Sequence, residues 1–235
     1  MNPTLSISRE SLAKMIDHSI LKPPFGREET VAGIQLALEY GVAAVSVKPW
    51  LVSLAADMVR GSGVLVDAVV GFPHGGETSA TKAFQTAEAI ASGAGEIDMV
   101  ANVGALIGGE INLVREDIAA VVRAAAGAPV KVILEVGYLS DPQITAGCRL
   151  AQQAGAAFVK TSTGFGPSGY TLEILRLMRA CVDPSVQVKA AQGVHTYKDV
   201  LEAIEAGAAR VGTSDTRAIM LGWEASAETT TKVRV

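Results

Sequence analysis

Gly41, Gly93, Gly155 and Gly207 each end a helical pattern, and each is followed by small residues and then an apolar run, at spacings of 52, 62 and 52 residues. Each interval holds two helix–strand units, so the repeating unit is about 26 to 31 residues, the length of a βα element. The pattern places strands at residues 15–21, 42–47, 64–72, 96–102, 130–136, 158–164, 186–191 and 210–214, with a helix between each pair. Eight strands separated by helices, with no hairpin signal, predict an α/β fold of the (β/α)8 TIM-barrel type. An open doubly wound sheet is the alternative, but no Gly-x-Gly-x-x-Gly turn follows the first strand.

The helix boundaries have local causes. Pro49 suits a first turn, Asp141 with Pro142 reads as an N-cap and first-turn pair, and Thr196 with Asp199 resembles a capping box with the shorter acid. Periodicity turns Val31, Ile34 and Leu38 inward on one helix, and Phe84, Ala87 and Ile90 or Ala91 inward on another. Residues 1–235 read as a single domain, with a lead-in over about 1–14 and a tail over about 225–235.

Composition narrows the function classes. A net charge of −4 spread along the chain, without a basic run, gives no footprint for nucleic acid or anionic membrane, so a small-molecule partner is expected. The apolar stretches 64–72 and 118–136 are interrupted by Asp67 and by Arg123, Pro129 and Lys131, too soon for a membrane span. Residues 1–14 lack the apolar core of a signal peptide, and the expectation is a cytoplasmic protein. Cys148 and Cys181 are expected as buried, reduced thiols.

In a barrel the chemistry gathers at the C-terminal ends of the strands. Asp17, Ser46 with Lys48, Asp98, Glu135, Lys160 and Lys189 then converge from six strands. An ammonium in the middle of a buried strand costs several kcal/mol, so Lys160, flanked by Ala157, Phe158 and Val159, needs a reason to be there. Lys189 on the adjacent strand supplies one, because burial and a like charge both lower a lysine's pKa and leave an amine able to form an imine. Asp98 is the proton carrier in this reading. Each residue also has a plainer one: Asp98 and Glu135 as ion partners of the lysines, Asp17 as a strand-end acceptor. His18, His74 and His195 lack metal-ligand spacing and read as loop or capping histidines, so no metal is expected.

The motifs carrying these residues resemble those of the DeoC family of class I deoxyribose-phosphate aldolases. The likeness runs from about Met15 to Gly222, through IDHSILKP (16–23), VVGFPHG (69–75), EIDMVANVGAL (96–106), FVKTSTGF (158–165), VKAAQG (188–193) and RVGTS (210–214). The resemblance implies a (β/α)8 barrel in which Lys160 forms the Schiff base, Lys189 perturbs its pKa and assists proton transfer, and Asp98 relays protons. It implies Asp17, Ser46, Thr161, Gly193, Gly212 and Ser214 as substrate contacts. The implied reaction is reversible cleavage of 2-deoxy-D-ribose 5-phosphate to acetaldehyde and glyceraldehyde 3-phosphate, without cofactor, in a homodimer.

The chain departs from that pattern where phosphate is expected to bind. Gln192 precedes Gly193 in place of a glycine pair, His195 stands in place of an arginine, and Pro167 interrupts the loop after the Schiff-base strand. Asp215 follows Ser214, where a carboxylate disfavours a dianion, with Arg217 a candidate to offset it. These departures raise a second reading, the same lysine chemistry on a non-phosphorylated or different hydroxyaldehyde. A barrel that binds a sugar phosphate without turning it over is a third.

Overall fold

The computed structural model describes residues 7–232. In chain order the elements are α1 (Arg9–Ala13), β1 (Ile16–Ser19), α2 (Arg27–Tyr40), β2 (Ala44–Val47), α3 (Val52–Val59), β3 (Leu65–Val70), α4 (Ser79–Ala91) and β4 (Glu96–Val100). They continue as α5 (Val103–Ile107), α6 (Ile111–Ala124), β5 (Val130–Ile133), α7 (Asp141–Gln153), β6 (Phe158–Lys160), α8 (Leu172–Cys181), β7 (Gln187–Ala191), α9 (Tyr197–Glu205), β8 (Arg210–Thr213) and α10 (Thr216–Lys232). The strands pair in parallel, β1 to β8 in sequence order, and β8 returns to β1 to close the barrel. The expected (β/α)8 architecture is the one observed.

The repeating glycines have a conformational cause. Gly41, Gly93, Gly155 and Gly207 have φ of 66°, 102°, 86° and 102°, the left-handed region in which a helix is turned off and a Cβ is disfavoured. The one long interval, between Gly93 and Gly155, accommodates the extra helix α5 and the turn behind it.

Side chains alternate across each strand. One set, including Val45, Val66, Ile97, Val132, Val159, Val188 and Val211, joins Ile34, Val52, Ala89, Ile118 and Val200 of the helices in one apolar layer. The other set points into the barrel and is largely ionic: Asp17, Asp67, Glu96, Asp98, Lys131, Lys160 and Lys189 are all buried, and Arg210 nearly so.

Several local expectations are corrected. Phe84 is 70% exposed and Ala87 is also exposed, whereas Lys82, Thr86 and Ala89 form the buried face of α4. The cause is a fully buried ion pair: Lys82 Nζ lies 2.6 Å from Asp117 Oδ2 on α6 and donates to Val100 O at 3.0 Å, which turns the helix against its apolar periodicity. On α2, Ile34 is buried but Val31 and Leu38 are only half-buried; Thr30, Ala37 and Tyr40 complete the face. The N-cap of α7 is Ser140, boxed with Gln143, so that Asp141 and Pro142 both lie in the first turn. A 3-10 turn over Pro49–Leu51 precedes α3. The capping box of Thr196 and Asp199 is present. Helices α1 and α5 were not anticipated, and α10 runs through the expected tail as far as Lys232, with 233–235 outside the described residues. Cys148 is buried, but Cys181 is half-buried and faces Thr145. Among the described residues, no helix is long and apolar enough to cross a membrane.

Candidate active site

Strand register builds the centre of the site. Lys160 on β6 lies opposite Lys189 on β7, and Asp98 on β4 lies opposite Lys131 on β5. Lys160 Nζ reaches Asp98 Oδ2 at 2.5 Å, and Lys189 Nζ reaches the same oxygen at 2.8 Å. One carboxylate oxygen is thus shared by two ammonium groups. Lys189 also touches Asp17 Oδ2 at 2.6 Å and Asp67 Oδ2 at 3.4 Å.

Beneath this triad lies a second ionic tier. Lys131 Nζ is 2.7 Å from Glu96, 3.0 Å from Asp67, 3.2 Å from Asp98 and 3.6 Å from Asp17. Arg210 clamps Asp17 Oδ1 at 2.6 Å, approaches Glu96 at 3.4 Å and lies over the Phe158 ring. Ser46 Oγ donates to Asp67 Oδ2 at 2.6 Å. Asp17, Asp67, Glu96 and Asp98 therefore face Lys131, Lys160, Lys189 and Arg210, charge for charge. Such a cluster is tolerated in a buried interior because every member is paired.

The two lysines are driven apart. Burial, with Lys189 adding to it, lowers the pKa of Lys160 against the pull of Asp98. Burial also opposes charge on Lys189, but Asp17 and Asp98 outweigh it and raise its pKa. One lysine is thus prepared to lose its proton, and its neighbour is held as an ammonium. Burial alone raises carboxylates, yet Lys131, Lys160 and Lys189 hold Asp98 well below its ordinary range. Asp17, buried but facing Lys189, Lys131 and Arg210, is held at about 2. Asp67 is raised by burial and by Asp98.

A cavity of about 300 Å³ opens above the triad and is lined in part by Lys160, Lys189, Ser46, Gly193, Gly212 and Ser214. Of the expected contacts, Asp17 and Thr161 do not line it: Asp17 is locked in the ionic tier, and Thr161 exchanges hydrogen bonds with the Ala191 backbone at 2.9 and 3.0 Å. Lys48 donates to the carbonyls of Lys22, Pro23 and Phe25, and so braces the loop after β1. Glu135, at a left-handed φ of 58°, accepts from the hydroxyl and amide of Thr163 and lies under Gly166; it makes no ion pair with either lysine. His18 is a buried strand residue bonded to Thr216, not a loop histidine. Arg217 pairs with Glu39 at 3.6 Å and does not line the cavity.

Sequence reasoning overlooked Asp67, Glu96, Lys131 and Arg210 as members of the cluster. Their signal was the period of two: each occupies the same inward parity as a recognised residue on its own or a neighbouring strand.

A closed parallel barrel whose mouth opens on a buried lysine, a second lysine and a shared carboxylate defines a barrel of the aldolase class. The profile of the DeoC/LacD family aldolases matches residues 11–222, and the chain belongs to that family. It is 50% identical over 217 residues to the deoxyribose-phosphate aldolase of Streptococcus sanguinis (strain SK36), covering 92% of this chain and 99% of that one. It is 50% identical over 212 residues to the deoxyribose-phosphate aldolase of Bacillus mycoides (strain KBAB4), covering 90% and 95%. Among solved structures, the tetrameric deoxyribose phosphate aldolase of Aeropyrum pernix superposes with a TM-score of 0.85 at 28% identity, covering 92% of each chain.

Proposed function

We infer that this chain is a class I aldolase that reversibly cleaves 2-deoxy-D-ribose 5-phosphate to acetaldehyde and D-glyceraldehyde 3-phosphate. The observation that carries the reading is the single Asp98 oxygen held between Lys160 and Lys189 in a buried site. Lys160, lowered by burial, attacks the C1 aldehyde of the open-chain sugar as the neutral amine. Loss of water gives the iminium. Asp98, directly or through one water, takes the proton of the C3 hydroxyl as the C2–C3 bond breaks. The bonding electrons pass into the iminium and leave an enamine on Lys160, while the three-carbon aldehyde phosphate departs. Protonation at C2 and hydrolysis then release acetaldehyde and restore the lysine. Lys189 stays charged throughout, keeps Lys160 depressed and holds Asp98 in reach of both.

Ser46, Gly193, Gly212 and Ser214, which line the cavity, are the proposed substrate contacts, and Asp17 and Thr161 act by holding Lys189 and the β7 backbone in place. The proposed setting is the cytoplasm, and the proposed assembly is a homodimer, which sedimentation velocity distinguishes from a tetramer. Borohydride reduction in the presence of acetaldehyde tests the chemistry. The expected result is a mass adduct on Lys160 that disappears in Lys160→Ala; an unmodified wild-type lysine under those conditions refutes the reading.

A further inference from the structure

The loops after β7 and β8 form one end of the cavity, and in parallel barrels these loops commonly hold a substrate phosphate through backbone amides. In this chain several of those donors are already committed. The amides of His195 and Thr196 both donate to the Asp199 carboxylate, at 2.9 and 2.8 Å, and the amide of Asp215 donates to Thr213 Oγ1 at 2.9 Å. Asp215 and His195 both line the cavity, and Asp215 Oδ2 lies 2.7 Å from His195 Nδ1, so the imidazole is engaged by a carboxylate. Arg217 is turned away to Glu39. Lys22, another cation lining the cavity, lies over the Phe25 ring at 5.6 Å.

Gln192 adds a second, independent feature. It holds a left-handed φ of 65°, uncommon for a residue with a Cβ, and its side chain reaches across to the loop after β6, where Nε2 donates to Gly166 O at 3.2 Å. Its Oε1 is buried and has no hydrogen-bond partner among the described residues. The Gln192 side chain thus fills space between the loops after β6 and β7 at this end of the cavity, where a glycine would leave backbone amides open to a phosphate.

We propose that Gln192, with the His195–Asp215 pair beside it, is the specificity-determining element of the acceptor end. It fits that end to a neutral terminal hydroxyl, so the enzyme also cleaves unphosphorylated 2-deoxy sugars, with only a modest preference for the 5-phosphate. This rests on the lysine-imine reading above and extends it to the substrate class.

The test is kcat/KM for retro-aldol cleavage of 2-deoxyribose 5-phosphate and of 2-deoxyribose by the full chain, in the wild type, Gln192→Gly and Asp215→Asn. Glycine accepts the left-handed backbone at 192, and asparagine keeps the shape of Asp215 without its charge, so both variants are expected to fold. The wild type is expected to prefer the phosphorylated sugar by no more than about a hundredfold, the yield of one charge-assisted contact. Each variant is expected to raise that preference by about tenfold, chiefly through a lower KM for the phosphorylated sugar. A phosphate preference that stays level or falls in both variants overturns the proposal and leaves the lysine chemistry standing. Turnover of neither sugar by the wild type also overturns it, and the borohydride adduct on Lys160 then decides whether the lysine reading falls as well.

Discussion

Lys160 and Lys189 are the same residue type, on neighbouring strands, in register, and both are buried, yet they behave oppositely. Three carboxylates contact Lys189 and one contacts Lys160, and that difference decides which amine gives up its proton. Replacing Lys189 with Met leaves burial to depress Lys160 but removes the positive neighbour that adds to it, while Asp98 and Asp67 still pull its pKa up. The expected outcome is a fall in kcat of about a hundredfold or more at neutral pH, with the pH profile of kcat/KM displaced to higher pH. An unchanged profile would mean that Lys189 acts only by packing. His18 provides a separate titration, away from the chemistry. Burial lowers it from 6.5 to about 4, so the folded state binds its proton less readily than the unfolded chain does. Its contribution is therefore complete above pH 6.5 and is lost as pH falls toward 4, to the extent of about 3 kcal/mol. Denaturant melts across that range are expected to show this loss in the wild type and a smaller one in His18→Gln.

Among the elements, α4 shows most clearly how a tertiary contact overrides a periodic pattern. Its apolar residues favour burying Phe84, but the helix is turned to place Lys82 between Asp117 and the end of β4. Removing one partner of a buried pair strands the other charge, so Lys82→Met is expected to cost about 3–5 kcal/mol in chemical denaturation. The double variant Lys82→Met with Asp117→Leu is expected to recover most of that loss. The loop after β6, where the sequence is least regular, is defined by close approaches. A Cβ at Gly169 would stand 1.8 Å from Gln192 O, and one at Gly166 would stand 2.8 Å from Glu135. Gly169→Ala is accordingly expected to push the loop off β7 and lower kcat/KM by about tenfold or more with little change in the imine-trapping yield at Lys160.

For the whole molecule, the barrel interior is a balanced ionic cluster enclosed by an apolar layer. Asp17 has a folded pKa of about 2, below its ordinary one, so its stabilising contribution is present above about pH 4 and is lost as pH falls toward 2; Asp98, also held well below its ordinary range, acts in the same direction. Asp67, raised, opposes this in part. Acid unfolding followed by circular dichroism is expected to show a second limb in that range, below the His18 limb, and Asp17→Asn is expected to shrink it. The sequence alone determined the count of eight βα units, because left-handed glycines and strand–helix periodicity are local properties of the backbone. It also determined that Lys160, Lys189 and Asp98 meet, since strand order and the C-terminal-end rule place them once the barrel is accepted. Only the tertiary structure decided which lysine is depressed, which face α4 buries, that Asp67, Glu96, Lys131 and Arg210 complete the charge balance, and that Gln192 bridges two loops. These depend on distances across the barrel and between loops, and an electrostatic interaction that changes sign with its nearest neighbour cannot be read until the neighbours are known.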